Sequence, residues 1–277
     1  MSIKWKTYDK QEDIFTISPK YADDITWVTT ERKTVDNIKE EVPPKLKTYN
    51  LEVNTDKTEE YEIPQKPAQP YREHSYSKPP NKDKWKKCKL LGSFIDTETD
   101  VNNRKARLIT NMKNSKHIYK SKHISLDLKI RHFNTYQASI FLYNCSLWTL
   151  TPTMEKSIDA FHRRQLRYAI GITYPRKISN EDLYNLTKAQ PWSETIKNRR
   201  LRLLGHILRL PPNTPAQQAL QEAQKKHKKR PGKQKTTWLG NINKDLNRIG
   251  LQPNTTFSNI ALAANDRDGW RRLIGKN

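Results

Sequence analysis

Two adjacent carboxylates interrupt a β-rich stretch near the start of this 277-residue chain. The segment "PKYADDITWVTT", residues 19–30, carries Asp23 and Asp24 among residues that favour strands. Aspartate is a poor strand former and is costly to bury without a partner. Neighbouring carboxylates on a tight turn suit Mg²⁺, which takes oxygen ligands from one or two carboxylates and from substrate phosphates. The pair is therefore typical of metal-assisted phosphoryl transfer, or else of an exposed turn, where aspartate is common.

The elements around this pair predict a small β region. The runs "IFTIS" and "ITWVTT" flank the carboxylates and predict a hairpin with the pair at or near its tip. The next segment spaces Val35, Ile38 and Val42 as on a short helix, which we expect Pro43 and Pro44 to end. "LEVN" and "EYEIP" are predicted strands. "CKLLGSFI" predicts one buried strand with a glycine inside it.

Beyond residue 100 the pattern is helical and basic, so the fold class predicted is α+β. Helices are expected near residues 101–119, 126–148, 154–170, 180–188, 192–210, 236–249 and 257–274. Ser179 and Asp182 resemble a capping box for one of them. Gly205 would cost about 1 kcal/mol inside a helix, so we expect a close helix crossing or a kink there.

Charge divides the chain into an acidic part and a basic part. The net charge is +23 and the isoelectric point is about 9.9, but residues 1–64 carry 10 Lys and Arg against 14 Asp and Glu. The remainder carries 42 against 15, which indicates a polyanionic partner, above all nucleic acid. No apolar run is long enough to span a membrane, and no signal peptide opens the chain. We therefore expect an intracellular protein of the nucleus or cytoplasm, not a secreted one. The two separate cysteines, Cys88 and Cys145, suit a reducing compartment.

The segment around the carboxylates resembles the catalytic palm motif of reverse transcriptases. "PKYADDITWVTT", "LKTYNLEVNTDKTEEYEI" and "CKLLGSFID" resemble three successive palm motifs in the polymerases of non-LTR (LINE-type) retrotransposons. Later segments resemble the helical thumb and its extension in the same proteins: "IDAFHRRQLRYAIGI", "RRLRLLGHILRL", "RPGKQKTTWLGNINKDL" and "ANDRDGWRRLI". The resemblance covers nearly the whole chain, and the order of its motifs makes it more specific than "YADD" alone.

The resemblance implies a polymerase site at the turn. Asp23 would be a ligand of the catalytic Mg²⁺ or Mn²⁺, with Asp24 as a weaker or second ligand. Tyr21 and Ala22 would lie near the primer end, where a small residue leaves room for the reacting sugar. Lys57, in "NTDKTE", matches the lysine that follows the catalytic turn in the family and would protonate or neutralise departing pyrophosphate. The alternative for Lys57 is a solvated loop lysine.

Leu91 and Gly92 match the hairpin that grips the primer strand in that family. Glycine there permits close approach of a backbone, although an ordinary strand bulge explains it nearly as well. The domains implied are a partial palm (1–63), a proline-rich loop (64–84), a primer-grip-like region (85–100), an α-helical thumb-like domain (101–210), a basic linker (211–236) and a C-terminal helical extension (237–277).

Three basic groups are candidates for contact with nucleic acid. At helical spacing, one face of residues 193–210 carries Arg199, Arg202, His206 and Arg209, while Lys197 and Arg200 fall near the apolar edge, where long stems snorkel. The preceding long helix carries the cluster Arg163, Arg164 and Arg167. The run "KKHKKRPGK" supplies Lys225, Lys226, Lys228, Lys229 and Arg230 as a nuclear-localisation signal, a binding arm or a solvated linker.

The catalytic constellation is incomplete in these residues. A palm also needs an aspartate on a strand well before "YADD" and a fingers region, and Asp9 and Asp13 lie in a polar stretch without such a strand. We therefore expect a reverse transcriptase fragment that binds RNA template and DNA primer but is inactive alone. One alternative is a non-catalytic basic nucleic-acid-binding protein derived from such an element. The other is a subunit completed by the missing N-terminal half or by another retrotransposon protein.

We predict that the purified chain does not extend a DNA primer on an RNA template, because two carboxylates from one turn leave an octahedral Mg²⁺ site incomplete. A primer-extension assay with Mg²⁺ or Mn²⁺ measures this directly. Extension that is lost in Asp23→Asn would contradict the prediction.

Overall fold

The structure is a computed structural model whose described part is mostly helical. It describes residues 16–17, 20–21, 24–29, 32–63, 84–225, 236–252 and 257–275. The chain divides into two compact units, Met1–Glu62 and Ile63–Asn277. Three two-stranded antiparallel pairs accompany the helices, which agrees with the α+β class. Within the described ranges, every helix is too short or too polar to cross a membrane.

The predicted hairpin is present in the N-terminal unit. Its strands are β1 (Thr16–Ile17), β2 (Lys20–Tyr21), β3 (Asp24–Ile25) and β4 (Val28–Thr29). The inner strands β2 and β3 pair antiparallel, and so do the outer strands β1 and β4. The register places Tyr21 opposite Asp24. Residues 22 and 23, which connect the inner strands, lie outside the described residues.

Helix α1 (Arg32–Lys47) continues past the proline pair that was expected to end it. Pro43 and Pro44 lack an N–H, but the residues after them keep theirs, so helical hydrogen bonding resumes beyond the pair. The chain leaves the helix at Asn50, whose φ is +55°. Asparagine tolerates this left-handed conformation better than most residues.

The predicted strands "LEVN" and "EYEIP" are wrong, because residues 51–54 and 60–63 form no strand. A strand needs a partner whose backbone pairs with it, and neither run has one in the described part of the unit. The Glu60 carboxylate instead accepts hydrogen bonds from Arg32 and from Lys39 Nζ, the latter at 2.6 Å. These contacts lower the pKa of Glu60, with the Lys39 hydrogen bond as the main cause, and they tie the segment to α1.

The run "CKLLGSFI" forms a hairpin rather than the single strand that was predicted. Strand β5 (Lys89–Leu90) pairs antiparallel with β6 (Ser93–Phe94). Leu91 and Gly92 both have positive φ, +46° and +79°, as a type I′ hairpin turn requires at its two central positions. Glycine adopts this conformation freely, whereas leucine does so at a cost. The turn could not be recognised in the sequence, because its first position is a leucine that continues an apolar run.

The C-terminal unit is built from helices. They are α2 (Thr97–Asn114), α3 (Lys116–Lys120), α4 (Leu126–His132), α5 (Ala138–Phe141), α6 (Pro152–Ala169), α7 (Asn180–Thr187), α8 (Trp192–Leu208), α9 (Pro215–Gln224), α10 (Trp238–Arg248), α11 (Ser258–Asn265) and α12 (Arg267–Gly275). Ser179 caps α7 as predicted, although the Asp182 carboxylate accepts from the Ser179 hydroxyl and not from its backbone N–H as in a full capping box. Ser179 Oγ accepts from the Asp182 N–H at 3.0 Å and donates to the Asp182 carboxylate at 2.7 Å.

Three predicted helices differ from those observed, and one predicted linker is helical. The expected helix 101–119 is interrupted at Ser115, between α2 and α3. The expected helix 126–148 ends at Phe141, after α4, a π-helical turn (Phe133–Gln137) and α5, and residues 145–147 form a 3₁₀ turn. The expected helix 257–274 is divided at Asp266, whose carboxylate accepts from the Gly269 N–H at 3.0 Å and begins α12. The expected linker 211–236 contains α9, whose Leu220 is buried. The segment was predicted to be a linker because a proline pair begins it and a polycation lies near its end, although its apolar residues have helical spacing.

An aromatic stack forms the centre of the first hydrophobic core. The Trp192 ring stacks on His162 at 4.2 Å and on Phe141 at 4.4 Å between centroids. Burial lowers the His162 pKa to about 3, so its imidazole is neutral at pH 7 and packs as an apolar ring. The sequence predicts that six aromatic residues are core anchors, and this prediction is confirmed. Trp148, Phe161, Trp192 and Trp270 are buried, and Tyr168 and Trp238 are partly buried against the cores.

A second core lies around the C-terminal half of α8. Leu201 and Leu204 pack there with residues of α9 to α12, including Trp270. Gly205 makes the predicted close crossing possible, because a Cβ at this position would lie 2.3 Å from Trp270 Nε1. The same Nε1–H donates to the Leu201 carbonyl at 3.2 Å. The absence of a side chain at Gly205 thus lets α12 approach α8.

Arg200 is buried between the two cores, not at their edge as the sequence suggested. Its NH1 lies 3.4 Å from Asp245 Oδ2 on α10, and both side chains are at least 95% buried. None of the three guanidinium nitrogens has a hydrogen-bond partner in the described part of the chain. Desolvation outweighs the mutual attraction. It raises the pKa of Asp245 to about 6 and lowers that of Arg200.

We predict that Gly205→Ala lowers the free energy of unfolding by about 1–3 kcal/mol, because the added methyl group must displace Trp270. Chemical denaturation followed by tryptophan fluorescence measures the change. Gly275→Ala is the matched control, since a Cβ there meets nothing within 4 Å. Equal stability of the two variants would rule out the tight crossing.

We predict that Arg200→Met is destabilising by about 3–5 kcal/mol at pH 7, because it leaves the buried Asp245 carboxylate without its cation, and that adding Asp245→Leu recovers most of the loss. Urea denaturation of the unaltered protein, the two single variants and the double variant measures this.

The pH dependence of the free energy of unfolding provides a second test of the Arg200–Asp245 pair. Because folding raises the Asp245 pKa from 3.8 to about 6, the contribution of Asp245 to stability is full below pH 3.8 and is lost as the pH rises through 6. The double variant should lack this component. Additive losses in the double variant would contradict the coupling.

Candidate nucleic-acid interface

The structure places one carboxylate of the predicted metal pair. Asp24 begins β3 and is exposed. Tyr21, expected near the primer end, lies opposite it on β2. Ala22 and Asp23 lie outside the described residues, so their roles stay predictions.

Lys57 lies in the same N-terminal unit, at the end of a 3₁₀ turn (Thr55–Lys57). Asn54 caps this turn by accepting from the Lys57 N–H at 3.1 Å. The Lys57 side chain is exposed, which suits either of the two interpretations of this lysine.

No group of three or more Asp, Glu, His or Cys side chains among the described residues is arranged to hold a metal ion. Mg²⁺ demands near-octahedral oxygen coordination and is bound by few carboxylates when substrate phosphates supply further ligands. Binding of Mg²⁺ or Mn²⁺ at Asp23 and Asp24 therefore stays a prediction from the resemblance.

The turn predicted to contact a primer is firmly anchored in the C-terminal unit. The Gly92 carbonyl accepts from Arg104 NH2 at 2.8 Å, and the Leu91 carbonyl accepts from Tyr143 Oη at 2.9 Å. The Leu91 side chain itself is 51% exposed. A Cβ at Gly92 would meet only Tyr143 at 3.8 Å. Backbone conformation, not close approach of another chain segment, is thus what requires this glycine.

A buried charge pair beneath the turn was missed in the sequence. Asp100 and Arg104 are both buried, and the arginine Nε lies 3.6 Å from Asp100 Oδ1. Asp100 also accepts from Trp148 Nε1 at 2.8 Å and from the Phe94 N–H at 3.1 Å. The only local signal is the spacing of four residues within a helix, which is equally typical of a solvated surface pair.

The predicted arginine cluster lines an open groove on the outer side of α6. The opposite, buried side of helix α6 consists of Ile158, Phe161, His162, Gln165, Leu166 and Ala169. The groove has a volume of about 530 Å³ and is lined by Ala160, Arg163, Arg164, Arg167, Tyr168, Ile172, Thr173 and Asn180. We call this feature the α6 groove.

The arginines of the α6 groove carry uncompensated charge. Arg164 is exposed, and Arg163 and Arg167 are half-buried. Arg167 NH2 donates to Asn180 Oδ1 at 2.8 Å and to the Ile178 carbonyl at 3.2 Å. In the described part of the chain, none of the three forms an ion pair with a carboxylate. The α6 groove is therefore positively charged and partly preorganised.

The basic face predicted on α8 is divided between structural and exposed residues. Arg199 NH1 donates to the Leu142 carbonyl at 2.8 Å, and Arg209 NH1 donates to the Ala264 carbonyl at 2.7 Å. Arg202 and His206 are exposed. Two of the four predicted residues thus hold neighbouring segments of the fold, a role that the helical spacing did not reveal.

Only the first residue of the predicted polycation is described. Lys225 follows α9, and its Nζ pairs with Glu222 one turn earlier. Lys226, Lys228, Lys229 and Arg230 lie outside the described residues.

No family model matches the chain, and no curated protein or solved structure matches it significantly. The interpretation of the α6 groove therefore depends on its own residues.

Proposed function

We propose that the chain binds template–primer nucleic acid as the palm-end and thumb part of a reverse transcriptase of the non-LTR retrotransposon type. The observation that supports strand binding is the α6 groove, in which three arginines that form no ion pair with any described carboxylate line one concave surface. Residues 65–277 carry 42 Lys and Arg against 15 Asp and Glu. A strand of phosphates is the polyanion that such a surface attracts.

The chemistry of the α6 groove suits the phosphates of a nucleic-acid strand. Guanidinium groups bind phosphate oxygens through two parallel hydrogen bonds. Arg167 keeps a fixed orientation because Asn180 and the Ile178 carbonyl hold one of its nitrogens. Arg163 and Arg164 line the groove and form no ion pair within the described ranges, so a phosphate entering it breaks none of the ion pairs seen there.

The anchored turn at Leu91 provides a second element of the proposal. Arg104 and Tyr143 fix its carbonyls, and Asp100 fixes Arg104. A rigid turn with an exposed apolar side chain suits contact with the sugars of a primer strand. Polymerisation itself requires carboxylates that face the Asp23–Asp24 turn, so the proposal assigns strand binding to these residues and not the complete chemistry.

We predict that Arg163→Gln/Arg164→Gln weakens binding of an RNA–DNA template–primer and reduces the slope of log K against log salt concentration by about 1–2, because each phosphate contact releases counterions. Fluorescence anisotropy between about 50 and 200 mM salt measures both quantities. Arg167 is left intact because it also supports α7.

Arg271→Gln is the matched control for this experiment. Arg271 is an exposed arginine on α12, outside the α6 groove, and it pairs with Asp268. Its loss should leave the salt slope unchanged. A groove variant with the slope of the unaltered protein would reject the α6 groove as the phosphate site.

A further inference from the structure

A continuous row of four rings leads from the α6 groove to the surface. Tyr168 lines the groove, and its ring lies 6.1 Å from that of Tyr119. Tyr119 meets His132 edge-on at 5.4 Å, and His132 stacks on Tyr136 at 4.9 Å with an interplanar angle of 29°. Tyr119 is buried, whereas Tyr136 is 59% exposed. The outermost ring therefore has one face on His132, and its exposure belongs to the other face and the edge.

The rings of His132 and Tyr136 are supported by hydrogen bonds of the buried residues next to them. Tyr119 Oη and His132 Nδ1 are hydrogen-bonded at 2.9 Å, and burial raises the Tyr119 pKa to about 12, so this hydroxyl keeps its proton. Tyr136 belongs to the π-helical turn (Phe133–Gln137), a feature that is frequent at functional sites. The next residue, Gln137, is buried and bonded to Asn111 at 3.0 Å and to Ser115 at 3.3 Å.

The chain around this row is strongly basic. Residues 113–132 carry six Lys and Arg and a single acidic residue, Asp127. Lys113, Lys116, Lys120 and Lys122 are exposed. An exposed ring on a basic stretch of chain matches the two groups that an unpaired nucleotide presents, a flat base and a phosphate.

We propose that Tyr136 is a stacking platform for an unpaired base of a nucleic-acid strand whose neighbouring phosphates lie in the α6 groove. This inference extends the proposed function, because it specifies a single-stranded segment as the ligand of this surface. A base in a duplex already stacks on its neighbours, so it cannot use an exposed protein ring. Each step between rings is at most 6.1 Å, so a few nucleotides connect Tyr136 with the groove.

The test uses the full chain and 20-nucleotide DNA and RNA strands that carry one 2-aminopurine, with a 20-base-pair duplex for comparison. Stacking on a tyrosine quenches 2-aminopurine fluorescence. We expect quenching with the unaltered protein, its loss in Tyr136→Leu, and roughly 5- to 100-fold weaker single-strand binding. Duplex binding should change less than about twofold, because it uses phosphate contacts alone.

Two variants serve as controls. Tyr136→Phe keeps the ring and should retain quenching and affinity, which distinguishes stacking from loss of a hydroxyl. Tyr49→Ala removes another exposed tyrosine, 76% exposed, from the N-terminal unit and should change neither. Circular dichroism and thermal unfolding verify that Tyr136→Leu is folded. If it is not, quenching and single-strand affinity in Tyr136→Phe and in Tyr136→His, which keeps a flat ring, decide the outcome.

The results separate the two proposals. If Arg163→Gln/Arg164→Gln weakens binding but Tyr136→Leu binds and quenches normally, the stacking platform is rejected and the phosphate groove stands. If the arginine variant has no effect on any strand, the proposed function fails at this groove. Binding to vesicles of anionic lipid that depends on Tyr136, without binding to single strands, would make the surface a membrane contact and would also reject the inference.

Discussion

Helix α8 supplies side chains to both hydrophobic cores of the C-terminal unit. Its first half packs Trp192 and Ile196 into one core, and its second half packs Leu201 and Leu204 into the other. Arg200 lies between them, buried with Asp245 of α10. A helix that belongs to two cores must hold a fixed rotation about its axis, because turning it would expose apolar side chains on both sides. Helices α6, α9, α10, α11 and α12 contact α8 directly and are positioned by this constraint.

The orientation of α6 follows directly from α8. Trp192 stacks on His162 of α6, and a neutral imidazole is the form that a buried stack requires, in agreement with the pKa of His162 near 3. With the His162 face turned inward, Arg163 and Arg164 must point outward. The α6 groove is then completed by Asn180 and Thr173 from the segment that follows. A cluster of charges in the sequence becomes a concave surface only through this packing.

Several signals confined to neighbouring residues predicted their features correctly. The two β-rich runs around Asp24 form a hairpin, Ser179 caps α7, and Gly205 marks a close helix crossing. Each depends on backbone conformation or on the size of one side chain, which the residue types encode locally. Local signals failed where two of them conflicted. Pro43 and Pro44 did not end α1, because the hydrogen bonds beyond them remained available, and Leu91 hid a turn.

The charge asymmetry, the aromatic anchors of the cores and the arginine cluster on α6 can be predicted from the residues alone, because composition and helical spacing express them directly. Which charges are buried and which rings meet depends on how the helices pack. Arg104 reaches the Gly92 carbonyl, and Tyr119 meets His132 and Tyr168, because packing brings together residues that are 12 or more positions apart. A periodic pattern specifies which face of a helix is apolar. It does not specify which partner will cover that face, and that partner converts Arg200 from a surface charge into a buried one.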